Sequence, residues 1–137
     1  MKKFIALLAL VLYFLFPHCS FAEELNTLGA SILNKTYTGL VPSAHVGWLP
    51  YRVEIKFTSV SGEMLKGEMY FGHPQCKGTF PFTGTISELN IKGVAVGTQG
   101  VCKDDKWPLN LEVSDGGKLL KGTMEFGGTI RPIELKE

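Results

Sequence analysis

Tyr51, Val53, Ile55 and Phe57 alternate with Arg52, Glu54, Lys56 and Thr58, a period of two that suits an extended strand with one buried and one wet face. A helix of 3.6 residues per turn would scatter both sets around its axis. The alternation returns at 80–86, and again at 109–113, where Asn110 and Glu112 separate Leu109, Leu111 and Val113. One-faced burial of this kind marks antiparallel sheet. Reading the alternation between turn signals predicts strands near 36–41, 51–59, 64–71, 78–87, 90–97, 107–113, 118–126 and 129–135, with a short helical turn in 25–33. Eight antiparallel strands in sequential order imply an all-β fold, a small up-and-down β-barrel whose closure removes exposed strand edges. A two-sheet β-sandwich is the alternative.

An internal repeat supports hairpin construction. The stretch Met64-Leu65-Lys66-Gly67-Glu68-Met69-Tyr70-Phe71-Gly72 returns as Leu119-Leu120-Lys121-Gly122-Thr123-Met124-Glu125-Phe126-Gly127, with six of nine positions identical. Each copy follows an alternating strand and a tight turn, Ser61-Gly62 or Asp115-Gly116-Gly117. Gly67, Gly84, Gly93 and Gly122 fall on the apolar face of four strands. Two readings stand: the glycines let the strands coil tightly, or they leave an interior lumen for a small apolar ligand.

The N-terminus has the make-up of a secretory signal. Lys2 and Lys3 precede an apolar run from Phe4 to Phe16, and Ser20-Phe21-Ala22 is a small-residue exit. Residues 1–22 are therefore expected to be removed, leaving 23–137 as one domain. The bulky Phe16-Pro17-His18 argues against Cys19 as a lipidated N-terminus. The mature chain would carry no transmembrane segment, and its location would be periplasmic or secreted. Its 12 basic and 13 acidic residues give a formal charge of −1, which excludes a nucleic-acid binder driven by bulk charge. Two cysteines remain in an oxidising compartment, so a Cys76–Cys102 disulfide is expected.

In strand plan and size the mature chain resembles the calycin barrels, the lipocalin and avidin group. The resemblance covers strand order and not a motif: the first strand reads Thr36-Tyr37-Thr38-Gly39, without the Gly-x-Trp of lipocalins, and the aromatic set of avidins has no counterpart that can be placed residue by residue. Lysozyme-inhibitor barrels of bacterial envelopes are similar in size and export, but no inhibitory loop motif can be carried over.

In a meander, alternate connections share one end. That rule gathers the long connections 41–50, 72–77 and 98–106, with the short 127–128 link, on a single rim, and puts Cys76 beside Cys102. The rim collects His45, Trp48, His73, Asp104, Asp105 and Trp107 as candidate binding residues, because loops on a rigid scaffold are where binding residues concentrate. Nothing forms a catalytic motif, no metal-ligand spacing is present, and no cofactor is expected. The sequence thus favours a non-catalytic exported binding module for a small apolar or glycan-type ligand. The alternative is a protein-interaction factor, such as an inhibitor of an envelope hydrolase or a secreted virulence factor.

Overall fold

The computed structural model describes residues 21–43 and 45–137. The expected signal segment lies outside the described residues except for Phe21 and Ala22, which begin a helix. That helix, α1 (Phe21–Ile32), is followed by β1 (Thr36–Val41), β2 (Tyr51–Ser61), β3 (Met64–Phe71), β4 (Gly78–Ser87), β5 (Asn90–Val96), β6 (Lys106–Ser114), β7 (Leu119–Phe126) and β8 (Thr129–Lys136). Each strand pairs antiparallel with its chain neighbour, and β8 returns to β1, so the sheet closes into an eight-stranded up-and-down barrel. Closure excludes the sandwich.

Alternation decides which side chains go inside. Along β2, Tyr51, Val53, Ile55 and Phe57 are buried while Arg52, Lys56 and Thr58 face out. The other strands follow suit, with Leu65, Met69 and Phe71 inward on β3 and Leu109, Leu111 and Val113 inward on β6. Lys66, Glu68, Lys92, Glu112 and Lys121 stand on the outer wall, the inverse of the apolar band around a membrane-spanning barrel. Among the described residues no helix is long and apolar enough to cross a membrane.

The interior is filled by rings. The repeat puts Phe71 and Phe126 at equivalent positions of β3 and β7, strands on opposite sides of the barrel, and their centroids meet at 5.3 Å. Nearer the other end, Phe57 contacts Phe82 at 5.9 Å and Tyr37 at 6.0 Å. Of the two readings of the glycines, their surroundings favour close strand approach. A Cβ at Gly67 would strike the Lys56 carbonyl oxygen, one at Gly84 that of Lys92, one at Gly122 that of Asn110, and one at Gly93 the Phe82 ring. The missing side chains admit a neighbouring strand or ring.

The end carrying the short hairpins is stoppered by α1. Ile32 is fully buried and Leu28 packs on the core. Gly29 lets the helix approach Val60, and Asn34, in the left-handed conformation that ends many helices, donates its N–H to the Phe57 carbonyl at 2.9 Å. Tyr37 Oη donates to the Gly117 carbonyl at 2.6 Å, tying β1 to the β6–β7 turn.

Candidate functional site

The opposite end carries the connections 42–50, 72–77, 97–105 and 127–128, the grouping expected from a meander. Cys76 and Cys102 form a disulfide across two of them, with Cα atoms 5.6 Å apart. The bond fixes 72–77 to 97–105, and backbone bonds Gly97 N–H to Asp105 O (2.8 Å) and Asp104 N–H to Gly97 O (2.9 Å) hold the longer connection in a compact turn.

A ring of contacts runs round the barrel mouth. The His45 and Trp48 rings lie 4.7 Å apart within a tight turn closed by Trp48 N–H to His45 O at 3.2 Å. The His45 N–H donates to Ser43 Oγ, whose hydroxyl pairs with Tyr51 Oη at 3.1 Å. Tyr51 meets the His73 ring at 4.7 Å and the Phe126 ring at 5.9 Å. The guanidinium of Arg131 sits 4.5 Å over Phe126 and donates to the Pro42 carbonyl at 3.4 Å, which closes the circuit. His73 Nδ1 accepts the Gln75 N–H, and the pKa of His73 is held below its ordinary value, first by burial and then by the charge of His45.

The structure separates the sequence candidates. Trp48 is 59% exposed and stands among other outward apolar side chains of the rim, Val46, Leu49 at 84%, Val101 and Ile130. His45 and His73 join the same ring. Asp104 and Asp105 are exposed on the disulfide side, and among the described residues neither carboxylate bonds to a histidine. Trp107 is not a surface residue: it is 3% exposed and packs against Phe80 at 4.8 Å and Phe71 at 5.6 Å. It supports the rim from below, because as the second residue of β6 it falls on the inward phase. Tyr51, Ser43, Phe126 and Arg131 were not among the candidates. Arg131 carried a visible signal, since counting back from Leu135 and Ile133 places it on the inward face.

Ser43 bonds His45 through its backbone and not its imidazole, so no base is aligned on that hydroxyl. Cys76, Cys102 and Asp105 bring potential metal-ligand atoms within 4.8 Å of one another, but sulfurs joined in a disulfide offer no thiolate to an ion. On the outer wall near the other end, an open polar groove of about 500 Å³ between Thr85, Asn90 and Asn110 contains no aromatic side chain.

Fold and rim together define a class: a closed, core-filled up-and-down barrel with one stoppered end and one disulfide-braced, aromatic end. No known family, curated protein or solved structure matches the chain.

Proposed function

We propose that the protein is an exported, non-catalytic interaction factor that grips a protein partner with its long-loop rim. The observation that carries this reading is the distribution of apolar side chains: rings pack the interior, while five of the eight large apolar side chains exposed among the described residues, Val46, Trp48, Leu49, Val101 and Ile130, belong to the long-loop end, against Met64 and Leu89 at the other end and Leu40 on the outer wall. Clustered exposed apolar side chains cost solubility and mark interaction surfaces. Exposed Trp beside Tyr and Arg is the composition of interface hot spots. The meeting of Phe71 with Phe126 across the barrel favours the rim over the interior, and so a macromolecule over a small enclosed ligand. The disulfide, with the signal-like residues 1–22, supports a periplasmic or secreted location.

The test compares the mature protein with its Trp48→Ala/Leu49→Ser variant as bait in extracts of the envelope and the culture medium. A partner retained by the unmodified protein and lost by a folded variant is the expected result. No retained protein, combined with saturable quenching of tryptophan fluorescence by envelope lipids or glycans, would transfer the function to a small ligand and refute the protein-partner reading.

A further inference from the structure

Arg131 is the exception to the barrel's pattern. Among the described residues it is the one buried charged side chain, 9% exposed, and the residue before it, Ile130, is 68% exposed. Apolar and charged side chains have exchanged faces at this step of β8. Four surface cations have carboxylate partners, Lys35 with Glu137, Arg52 with Glu54, and Lys121 and Lys136 with Glu134, and the other described lysines stand on the surface where water solvates the charge. Arg131 has none among the described residues. Its Nε is sealed from solvent without an acceptor, and its single hydrogen bond is the 3.4 Å contact to the Pro42 carbonyl, at the long end of the range. Stacking on Phe126 offsets only part of the cost of burying a charge without a counter-charge.

The position of this group is also particular. The β1–β8 ladder has three residue pairs, ending at Leu40 opposite Glu134, and β1 then departs through Pro42. Arg131 bridges the seam where the strands part. Around it lie the phenol of Tyr51 and hydroxyl of Ser43, which bond to each other, and the His73 ring against Tyr51. Among its ladder neighbours the carboxylates are Glu125, opposite Ile130, and Glu134, opposite Leu40, both on residues of the outward phase, so neither meets the inward guanidinium. A planar guanidinium whose Nε lacks an acceptor is the partner that matches the two oxygens of a carboxylate.

We propose that the β1–β8 seam at the rim is a carboxylate-binding site anchored by Arg131, and that its ligand is an Asp or Glu side chain of the protein partner. The site deepens the rim reading and rests on it. Binding replaces the long bond to Pro42 with a charge-assisted pair, and the aromatic mouth packs against the segment that carries the acid. The partner is therefore acidic where it touches the barrel.

The first probe is N-acetyl-glutamate, followed through the Arg131 Nε–Hε resonance of the oxidised mature protein. Saturable displacement at millimolar concentration, absent with N-acetyl-glutamine, is expected. Arg131→Met should abolish the associated shift of the Tyr51 and Trp48 signals, and Arg131→Lys should weaken binding about tenfold or more. No displacement, or the same displacement by chloride or inorganic phosphate, overturns the assignment. The second measurement is thermal: Arg131→Met should melt at or above the temperature of the unmodified protein, because an unpaired buried charge has been removed. A lower melting temperature would make Arg131 a structural cap and overturn the proposal. Capture assays separate this inference from the broader one. If Trp48→Ala loses the partner while Arg131→Met retains it undiminished, the rim reading stands and this inference falls; if neither variant changes capture, the rim reading falls as well.

Discussion

Tyr37→Phe removes one hydroxyl from the stoppered end of the barrel, and the structure fixes both its cost and the pH at which that cost should vanish. Tyr37 is fully buried, and its hydroxyl donates to the Gly117 carbonyl at 2.6 Å. Phe keeps the ring and its contact with Phe57 but deprives the carbonyl of this donor, a loss of about 1–3 kcal/mol. In a domain of this size that corresponds to roughly 4 °C per kcal/mol of melting temperature. Burial, and then the charge of Glu137, push the Tyr37 pKa from 10.0 up to about 12. The unfolded chain releases this proton near pH 10 and the folded chain near pH 12. Between those values the folded state binds more protons, so stability falls as pH rises. The decline amounts to about 1.4 kcal/mol by pH 11 and about 2.3 kcal/mol by pH 12. Phe does not titrate. The stability gap between the two proteins should therefore be complete at pH 8, begin to close above pH 10, and reach about zero between pH 11 and 12. Urea unfolding followed by tryptophan fluorescence across that range measures it, and subtraction cancels the lysines and other tyrosines common to both proteins. A gap that is absent at pH 8, or unchanged at pH 11.5, would refute the reasoning.

Further outcomes follow from the same coordinates. Cys76→Ser or Cys102→Ser opens a closed loop of sequence separation 26 and should cost about 3.5 kcal/mol by chain entropy, with reductant lowering the unmodified protein to the same level in urea unfolding. Trp107→Ala should cost about 3–5 kcal/mol in the same assay by emptying the space against Phe71 and Phe80; a cost below 1 kcal/mol would place the ring outside the core. Gly122→Ala drives a Cβ into the Asn110 carbonyl and should destabilise by about 1–3 kcal/mol or prevent soluble expression, whereas a lumen-lining glycine would accept it without loss. His73, whose folded pKa lies below 6.5, contributes stability that is complete above pH 6.5 and declines as pH falls through the folded value. His73→Asn should reduce the drop in melting temperature between pH 7.5 and pH 5, and an unchanged drop would contradict the burial of this ring.

The strands were legible because each position had only two faces to choose between. Once Tyr51, Val53, Ile55 and Phe57 were set inward, turn residues such as Ser61-Gly62 and Asp115-Gly116-Gly117 fixed where the next strand could begin. Sequential pairing followed, and with it the meeting of Cys76 and Cys102. The two tryptophans were harder, since each stands next to or near a proline in a connecting stretch. Phase separates them: Trp107 continues the inward series of Leu109, Leu111 and Val113, while Trp48 belongs to no strand. The glycines left curvature and lumen both open because the side of a strand is written locally and the distance to the opposite wall is not. That distance depends on how strongly the whole sheet coils, and the contact of Phe71 with Phe126 shows it to be short. The helix was shortened to a turn because its anchors, the Gly29–Val60 approach and the Asn34–Phe57 bond, are tertiary. The Ile130–Arg131 exchange could have been read from phase alone, but phase did not reveal that no carboxylate would meet the guanidinium.

The two ends of the barrel answer different physical demands. At the stoppered end, Ile32, Tyr37 and the Gly117 carbonyl turn apolar surface and polar groups inward, which adds stability, although Met64 and Leu89 stay exposed there. At the rim the same kinds of group are left incompletely satisfied: Trp48 and Leu49 remain wet, and the Arg131 charge lacks a counter-charge. Unsatisfied groups assist binding only if they are held still beforehand, because ordering flexible side chains consumes the free energy of association. The His45–Trp48 stack, the Ser43–Tyr51 bond and the Cys76–Cys102 disulfide supply that order in the free protein. A rim prepared in this way should change little on meeting the proposed partner. Removing the disulfide should therefore weaken binding by more than the loss of folded protein accounts for, and partner affinity measured on the folded fraction of the Cys102→Ser variant is the quantity that decides it.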